Sequence, residues 1–154
     1  FKLITDVDMK REETIVIKFH NNSGLYAIGA KDDIIFIDPR SGKIAFSAKS
    51  QDQGWGVRSL AFHENLLAIG GGAGRVSIYD LVAGSYCPLG FGEDAPLYNQ
   101  EKEYEPSSIR YDTFALSKLN AVYTVSWSRD GTSLFCGGGP LQCGLEGSWG
   151  KLLI

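Results

Sequence analysis

The sequence predicts an all-β fold made of repeated four-stranded units. Glycine accounts for 19 of the 154 residues and aromatic residues for 12% of them, a composition that favours short strands and tight turns over long helices. The chain also repeats one pattern, in which a short apolar strand, a turn and a second strand follow one another at a regular spacing. Composition and repetition therefore agree on the fold class.

Two copies of this pattern align closely. Three pairs of equivalent residues lie 43, 41 and 42 positions apart: Phe19 and Phe62, Gly29 and Gly70, Asp38 and Asp80. In each copy the first strand ends near an aromatic residue, the second ends in glycine, and the third ends in an apolar residue followed by Asp, the place of the Trp-Asp dipeptide of WD repeats. A third copy begins at Ala121, with Trp127 in the place of the aromatic residue.

Repeats of about 40–45 residues are typical of the blades of a WD40-type β-propeller. The first strands are nearly continuous apolar runs, which suit sheets that are covered on both faces. Closed rings have about 4–8 blades, so we expect a partial WD40-type β-propeller: about three blades of a larger ring, the last one incomplete. The alternative is an all-β sandwich in which one motif recurs by chance. Three matches in register make this the weaker interpretation.

We expect one partial propeller over residues 1–154. Its predicted parts are the outer strand of a preceding blade (1–13), one blade (14–50), a second blade (55–91), an acidic inserted loop (92–120) and the last, incomplete blade (121–154). Such a fragment would expose the apolar faces of its outermost sheets.

Charge and cysteine content exclude several classes of function. The net charge of −3 argues against nucleic acid as a partner, because phosphate binding needs a basic surface. The three cysteines form no C-x-x-C pair, and His20 and His63 have no second ligand four residues away, so we predict no metal site. No apolar run is as long as a membrane-spanning helix, which needs about 18 residues. Reduced thiols in an intracellular compartment are expected.

No catalytic motif or cofactor site is predicted either. The glycines of Gly70–Gly74 lack the Gly-Lys-Ser/Thr continuation of a phosphate-binding loop, and a strand follows them, so a tight turn is the better interpretation. The chain has no Gly-x-Ser-x-Gly elbow, and both histidines recur with the repeat, which is typical of framework residues. We therefore predict a protein-binding module and not an enzyme.

Four segments resemble the C-terminal blades of one family: Ile37–Arg40, Gly56–Phe62, Ala121–Thr124 and Leu134–Leu141. They are similar to the cullin-4-associated WD40 substrate receptors, and most of all to the twelfth member type. The acidic insertion and the absence of an aromatic residue near Leu153 depart from that pattern. The resemblance implies a protein that docks on the adaptor of a cullin-4 RING ubiquitin ligase and presents substrates that end in Glu-Glu.

The resemblance also implies an adaptor-binding pair, Asp38 and Arg40. Receptors of this class carry Trp-Asp-x-Arg at blade ends, and Ile37–Arg40 keeps the Asp-x-Arg part, whereas Val82 occupies the arginine position of the next copy. The alternative is an arginine that only pairs with Asp38 or caps its own turn.

For the acidic peptide terminus, the predicted binding residues are Arg58, Lys31, Arg75 and Trp55. Arg58 begins a first strand, and the planar guanidinium makes paired hydrogen bonds with carboxylates. Lys31 and Arg75, in or beside the turns after the second strands, are expected helpers. A salt bridge between blades is the alternative for Arg58, and blade packing is the alternative for Trp55.

Two functions remain open at this point. One is a ligase substrate receptor in the cytoplasm and nucleus, with the adaptor and acidic C-termini as partners and neither nucleic acid nor membrane. The other is a WD40 scaffold that assembles another complex without ligase function. Composition and periodicity do not separate them.

Overall fold

A computed structural model describes residues 6–9, 11, 13–52, 54–88, 120–140 and 149–154. These residues form eleven strands in three antiparallel sheets, and none of them lies in a helix. The predicted all-β fold is confirmed. The three sheets stand side by side and do not close a ring, as expected for a partial propeller.

Each sheet is a meander in which consecutive strands are neighbours. The first sheet contains β1 (Val16–His20), β2 (Leu25–Gly29), β3 (Asp33–Asp38) and β4 (Lys43–Lys49). The second sheet contains β5 (Val57–His63), β6 (Leu66–Gly71), β7 (Val76–Asp80) and β8 (Ser85–Tyr86). The third sheet contains β9 (Asn120–Trp127), β10 (Leu134–Pro140) and β11 (Trp149–Leu153), the last in the position of a third strand.

Because the strands alternate in direction, every sheet has two kinds of end. We define the entry end of a sheet as the end where its first strand begins and where the turn between its second and third strands lies. The exit end holds the other two turns, after the first strand and after the third. Residues of the predicted peptide site fall at the entry end, and those of the predicted adaptor site fall at the exit end.

Two apolar core clusters lie between the sheets. Leu67 and Ile69 of β6 point toward the first sheet, where they join Ile34 and Phe36. Ala68, between them in sequence, points toward the third sheet and belongs to a cluster with Val122, Val125, Leu134 and Cys136. The middle sheet is thus buried on both faces, which explains why its strands read as continuous apolar runs.

Neighbouring sheets approach most closely where each second strand ends in glycine. A Cβ atom on Gly29 would lie 2.6 Å from Val57 Cγ1, and a Cβ atom on Gly70 would lie 2.7 Å from Val122 Cγ1. The Val57 amide donates a hydrogen bond to the Ala30 carbonyl at 3.0 Å, across the same junction. Glycine is required here because any side chain would push the sheets apart.

The two outermost faces remain partly uncovered. On the first sheet, Ile17 is 56% exposed and Phe19 is 46% exposed. On the third sheet, Leu152 is 60% exposed and Phe135 is 45% exposed. A sandwich would bury such faces against each other, whereas a partial ring leaves one uncovered at each end of the stack.

Two predicted segments fall largely outside the described residues. Of the inserted loop 92–120, only Asn120 is described, as the first residue of β9. Of residues 1–13, the described ones lie outside strands, and Val7 and Met9 pack against the outer face of the first sheet. The domain boundaries given above stay predictions.

Ion pairs hold the entry ends of the first two sheets, and the turn residue that takes part is acidic in the first sheet and basic in the second. Asp33 starts β3 and accepts charged hydrogen bonds from Arg11 and Lys49, both at 2.8 Å. Arg75 occupies the equivalent position before β7, and its Nε lies 3.5 Å from a carboxylate oxygen of Asp52. In both turns the carbonyl of this residue accepts a backbone hydrogen bond at 2.9 Å. Asp33 and Asp52 are both 5% exposed, so each buried charge depends on its partners.

The environments of the two carboxylates shift their acidities in opposite directions. Burial opposes ionisation of Asp33, but hydrogen bonds and charge from Lys49 and Arg11 outweigh it and hold the pKa of Asp33 below its ordinary value. Burial raises the pKa of Asp52, although the backbone N–H groups of Ala73 and Arg75 oppose the rise.

We predict opposite pH dependences for the substitutions Asp33→Asn and Asp52→Asn in the full-length protein. The folded pKa of Asp33 is lowered, so its charge contributes stability above the ordinary pKa of 3.8, and the contribution is lost as the pH falls through the folded value. The folded pKa of Asp52 is raised, so its contribution is present below 3.8 and is lost as the pH rises through the folded value.

Asp33→Asn should therefore lower the free energy of unfolding by about 1.5–3 kcal/mol at about pH 7, and by less at about pH 3.5. Asp52→Asn should cost more at the lower pH than at the higher one. Urea unfolding of both variants at the two pH values measures these losses. Losses that follow the same pH trend in the two variants would contradict the opposite shifts.

Candidate functional site

Arg58 lies at the entry end, where the register of β5 against β6 is irregular. Val57 pairs with Gly71 and Ser59 pairs with Gly70, so Arg58 is the extra residue of a β-bulge. The third sheet repeats this feature, because Tyr123 is the extra residue between β9 and β10. A bulge re-aims the side chain of its extra residue. The sequence carries no signal for this bulge, since one inserted residue does not disturb an apolar run.

The contacts of the Arg58 guanidinium are incomplete. Its Nη2 donates a hydrogen bond to the Trp55 carbonyl at 2.9 Å and lies 3.9 Å from a carboxylate oxygen of Glu13. The guanidinium covers Gly56, whose added Cβ would lie 3.3 Å from Cζ of Arg58. Its Nε is buried and has no hydrogen-bond partner among the described residues. Of the five guanidinium N–H donors, one is thus hydrogen-bonded within the described part of the chain.

Trp55 and Arg75 both contact Asp52, a buried residue close to Arg58 in the chain. The Trp55 amide donates to the Asp52 carbonyl at 3.1 Å. The Asp52 carboxylate accepts the Ala73 amide at 3.0 Å and pairs with the Arg75 guanidinium, whose side chain is 36% exposed. Arg75 thus has a structural partner in addition to any role toward a ligand, which the sequence analysis did not foresee.

Lys31 belongs to the second turn of the first sheet, which flanks the connection into β5. In that turn the Ala30 carbonyl accepts the Val57 amide, and the carboxylate of Asp32 accepts the Gly54 amide at 2.7 Å. The structure thus brings Trp55 and Arg58 into direct contact and links Arg75 to Trp55 through Asp52. It also holds the turn that contains Lys31 against the same connection.

Asp38 and Arg40 form a fork at the exit end, in the turn after β3. The carboxylate of Asp38 accepts Nε of Arg40 at 3.0 Å, Nη2 at 3.3 Å and the Arg40 amide at 2.9 Å. The side-chain hydrogen bond from Arg40 lowers the pKa of Asp38, and the same bond raises the pKa of Arg40. The Arg40 side chain is nevertheless 76% exposed, so its outer face is accessible to a partner.

The second sheet repeats this turn without the arginine. The carboxylate of Asp80 accepts the Val82 amide at 2.7 Å, and Gly84 closes the turn on the Asp80 carbonyl as Gly42 does on that of Asp38. Both glycines have left-handed backbones, with φ of 66° and 65°. Val82 is 77% exposed. The two turns are therefore alike in backbone, and only the first presents a guanidinium.

A polar groove of about 360 Å³ also opens at the exit end, along the first strands of the three sheets. His20 lies in its wall, and its ring nitrogens contact the Glu64 carbonyl and the Ser23 hydroxyl. A histidine whose two nitrogens are engaged in this way has a framework role, as the repeat predicts.

Neither a metal centre nor a membrane-spanning helix is found in the described part of the chain. No group of three or more His, Cys, Asp or Glu side chains there could hold a metal ion. No helix among those residues is long and apolar enough to cross a bilayer.

Comparison with known families identifies the fold at the level of one family. The family model described as the DDB1- and CUL4-associated factor 12 beta propeller matches residues 4–111, which is more than half of the chain. The match includes the first two sheets and with them both candidate sites, the entry-end residues around Arg58 and the exit-end pair Asp38 and Arg40. The chain therefore belongs to the family of DDB1- and CUL4-associated factor 12 beta propellers.

Proposed function

We propose that the chain is part of the substrate-recognition subunit of a cullin-4 RING ubiquitin ligase, acting in the cytoplasm and nucleus. It binds acidic, Glu-Glu-ended C-termini at the entry end and the ligase adaptor DDB1 at the exit end. The observation that carries the proposal is the match to a DDB1- and CUL4-associated propeller over both arginine sites. No step of this function requires catalysis or a cofactor from the chain itself.

The peptide-binding part of the proposal rests on the burial and the contacts of Arg58. A C-terminal Glu-Glu presents three carboxylates, and each loses hydration on entering a crowded site, so several positive groups are needed. The Arg58 side chain is only 21% exposed, and its guanidinium makes one hydrogen bond to the described residues, which supports a role in binding a carboxylate. Lys31 and Arg75 stand in the neighbouring turns, where the carboxylates of Asp32 and Asp52 accompany them.

Charge reversal at Arg58 should weaken the binding of a labelled peptide that ends in Glu-Glu. In the full-length protein, Arg58→Glu should raise the Kd at least about tenfold, because it places a carboxylate against the peptide carboxylates. Arg40→Glu makes the same charge change at the exit end and should leave the Kd unchanged. Fluorescence anisotropy measures both. A folded Arg58→Glu variant that binds as tightly as wild type would remove Arg58 from the peptide site.

The adaptor half rests on the exposed guanidinium of Arg40. Asp38 orients this group through two hydrogen bonds, and orientation reduces the entropy that docking costs. Val82, in the matching turn, lacks any group that could replace it.

We predict that Arg40→Ala reduces the amount of DDB1 that co-purifies with the full-length protein and that Val82→Arg increases it. The first change removes an oriented charge, and the second adds a guanidinium on an equivalent turn. Arg129→Ala is the matched control, since Arg129 is an exposed arginine of another exit-end turn. If Arg40→Ala and Arg129→Ala retain DDB1 equally, Arg40 has no docking role.

A scaffold function without ligase activity is the second candidate. It is favoured by the valine at position 82 and by the fact that Asp38 already occupies the Arg40 fork. Absence of DDB1 from a complex purified with the wild-type full-length protein would select this alternative.

A further inference from the structure

Glu13 precedes β1 and has a backbone conformation that is uncommon for its residue type. Its φ of 51° lies in the left-handed region, which L residues other than Gly, Asn and Asp seldom adopt. Its side chain is 50% exposed, so burial does not explain the conformation. In this conformation the Glu13 carboxylate lies near Arg58, a residue of the neighbouring sheet.

The contact between Glu13 and Arg58 is electrostatic rather than a formed hydrogen bond. The carboxylate oxygen and Nη2 are 3.9 Å apart, which is beyond hydrogen-bonding distance. One N–H of Nη2 is bonded to the Trp55 carbonyl, and Nε has no acceptor among the described residues. A half-exposed pair of this kind contributes little to folding stability. Glu13 thus attracts the guanidinium without filling its fork.

We propose that Glu13 is an internal competitor at the peptide site: its carboxylate offsets part of the Arg58 charge, and an acidic C-terminus has to compete with it for the guanidinium. The inference rests on the proposed peptide-binding function and names Glu13 as a residue that lowers the affinity for the peptide. A tethered carboxylate competes at high effective concentration. Ligands that bring several carboxylates therefore have an advantage, because they can replace the Glu13 contact and also make others.

Glu64 offers a matched control. It is also an exposed glutamate with a left-handed backbone, at φ 47°, and it lies in the turn after β5 at the exit end. Substituting Gln for either residue removes one negative charge from the same kind of backbone. Only Glu13 has its carboxylate beside Arg58. A difference between the two variants therefore reports the local contact and not the net charge.

The test measures Kd for a labelled peptide ending in Glu-Glu with the full-length protein. Glu13→Gln should bind about two- to fivefold more tightly than wild type, the change that corresponds to removing a weak ion pair. Glu64→Gln should bind like wild type. In an Arg58→Gln background, Glu13→Gln should give no gain, since the competition needs the guanidinium.

Two results would overturn the inference while peptide binding itself persists. One is a wild-type Kd for Glu13→Gln. The other is an equal gain for Glu13→Gln and Glu64→Gln, which would reveal a general charge effect. If the peptide binds to none of the proteins, Glu13→Gln included, the proposed peptide-binding function fails, and the inference fails with it.

Discussion

The close approach of glycine in one sheet to valine in the next is the constraint on which the rest of the structure depends. Gly29 lies against Val57, and Gly70 lies against Val122, so the same junction occurs twice along the stack. The narrow gap lets the Val57 amide reach the Ala30 carbonyl, and it lets apolar side chains of neighbouring sheets pack into shared clusters. Apolar burial between sheets is the main source of stability in such an arrangement, since each sheet alone has no core.

The same junction determines what the entry end can do. Since β5 starts directly against the first sheet, its bulge places Arg58 close to Trp55 of the connection and to Glu13, which precedes β1. The exit end is less crowded, and its turns project from the sheets, so Arg40 remains exposed. A partly buried arginine suits a desolvated peptide terminus, and an exposed one suits the rim of a protein interface. The difference in crowding thus separates the two proposed sites.

The strand pattern could be predicted from the sequence because the repeat places the same residue types at the strand ends: Gly29 and Gly71 end second strands, and Asp38 and Asp80 end third strands. The entry-end network could not be predicted. The pair Asp52 and Arg75 joins residues 23 positions apart, and Arg58 and Glu13 are separated by 45 positions. Asp33 and Arg75 occupy equivalent positions in the first two sheets, but one is acidic and the other basic, so a comparison of residue types does not align them. The Arg58 bulge depends on pairing with Gly70 and Gly71, which no single segment encodes.

The unfolding free energy of a Gly70→Ala variant of the full-length protein tests the central claim most directly. The added Cβ would meet Val122 across the junction and the Ser59 hydroxyl of the neighbouring strand, so we expect a loss of about 1–3 kcal/mol. Gly150→Ala is the control, because its Cβ would meet only the ring of the exposed Phe135, at 3.1 Å, and the Cys136 carbonyl at 3.8 Å. A clearly larger loss for Gly70→Ala in urea unfolding supports the account. Equal losses for the two variants would contradict it.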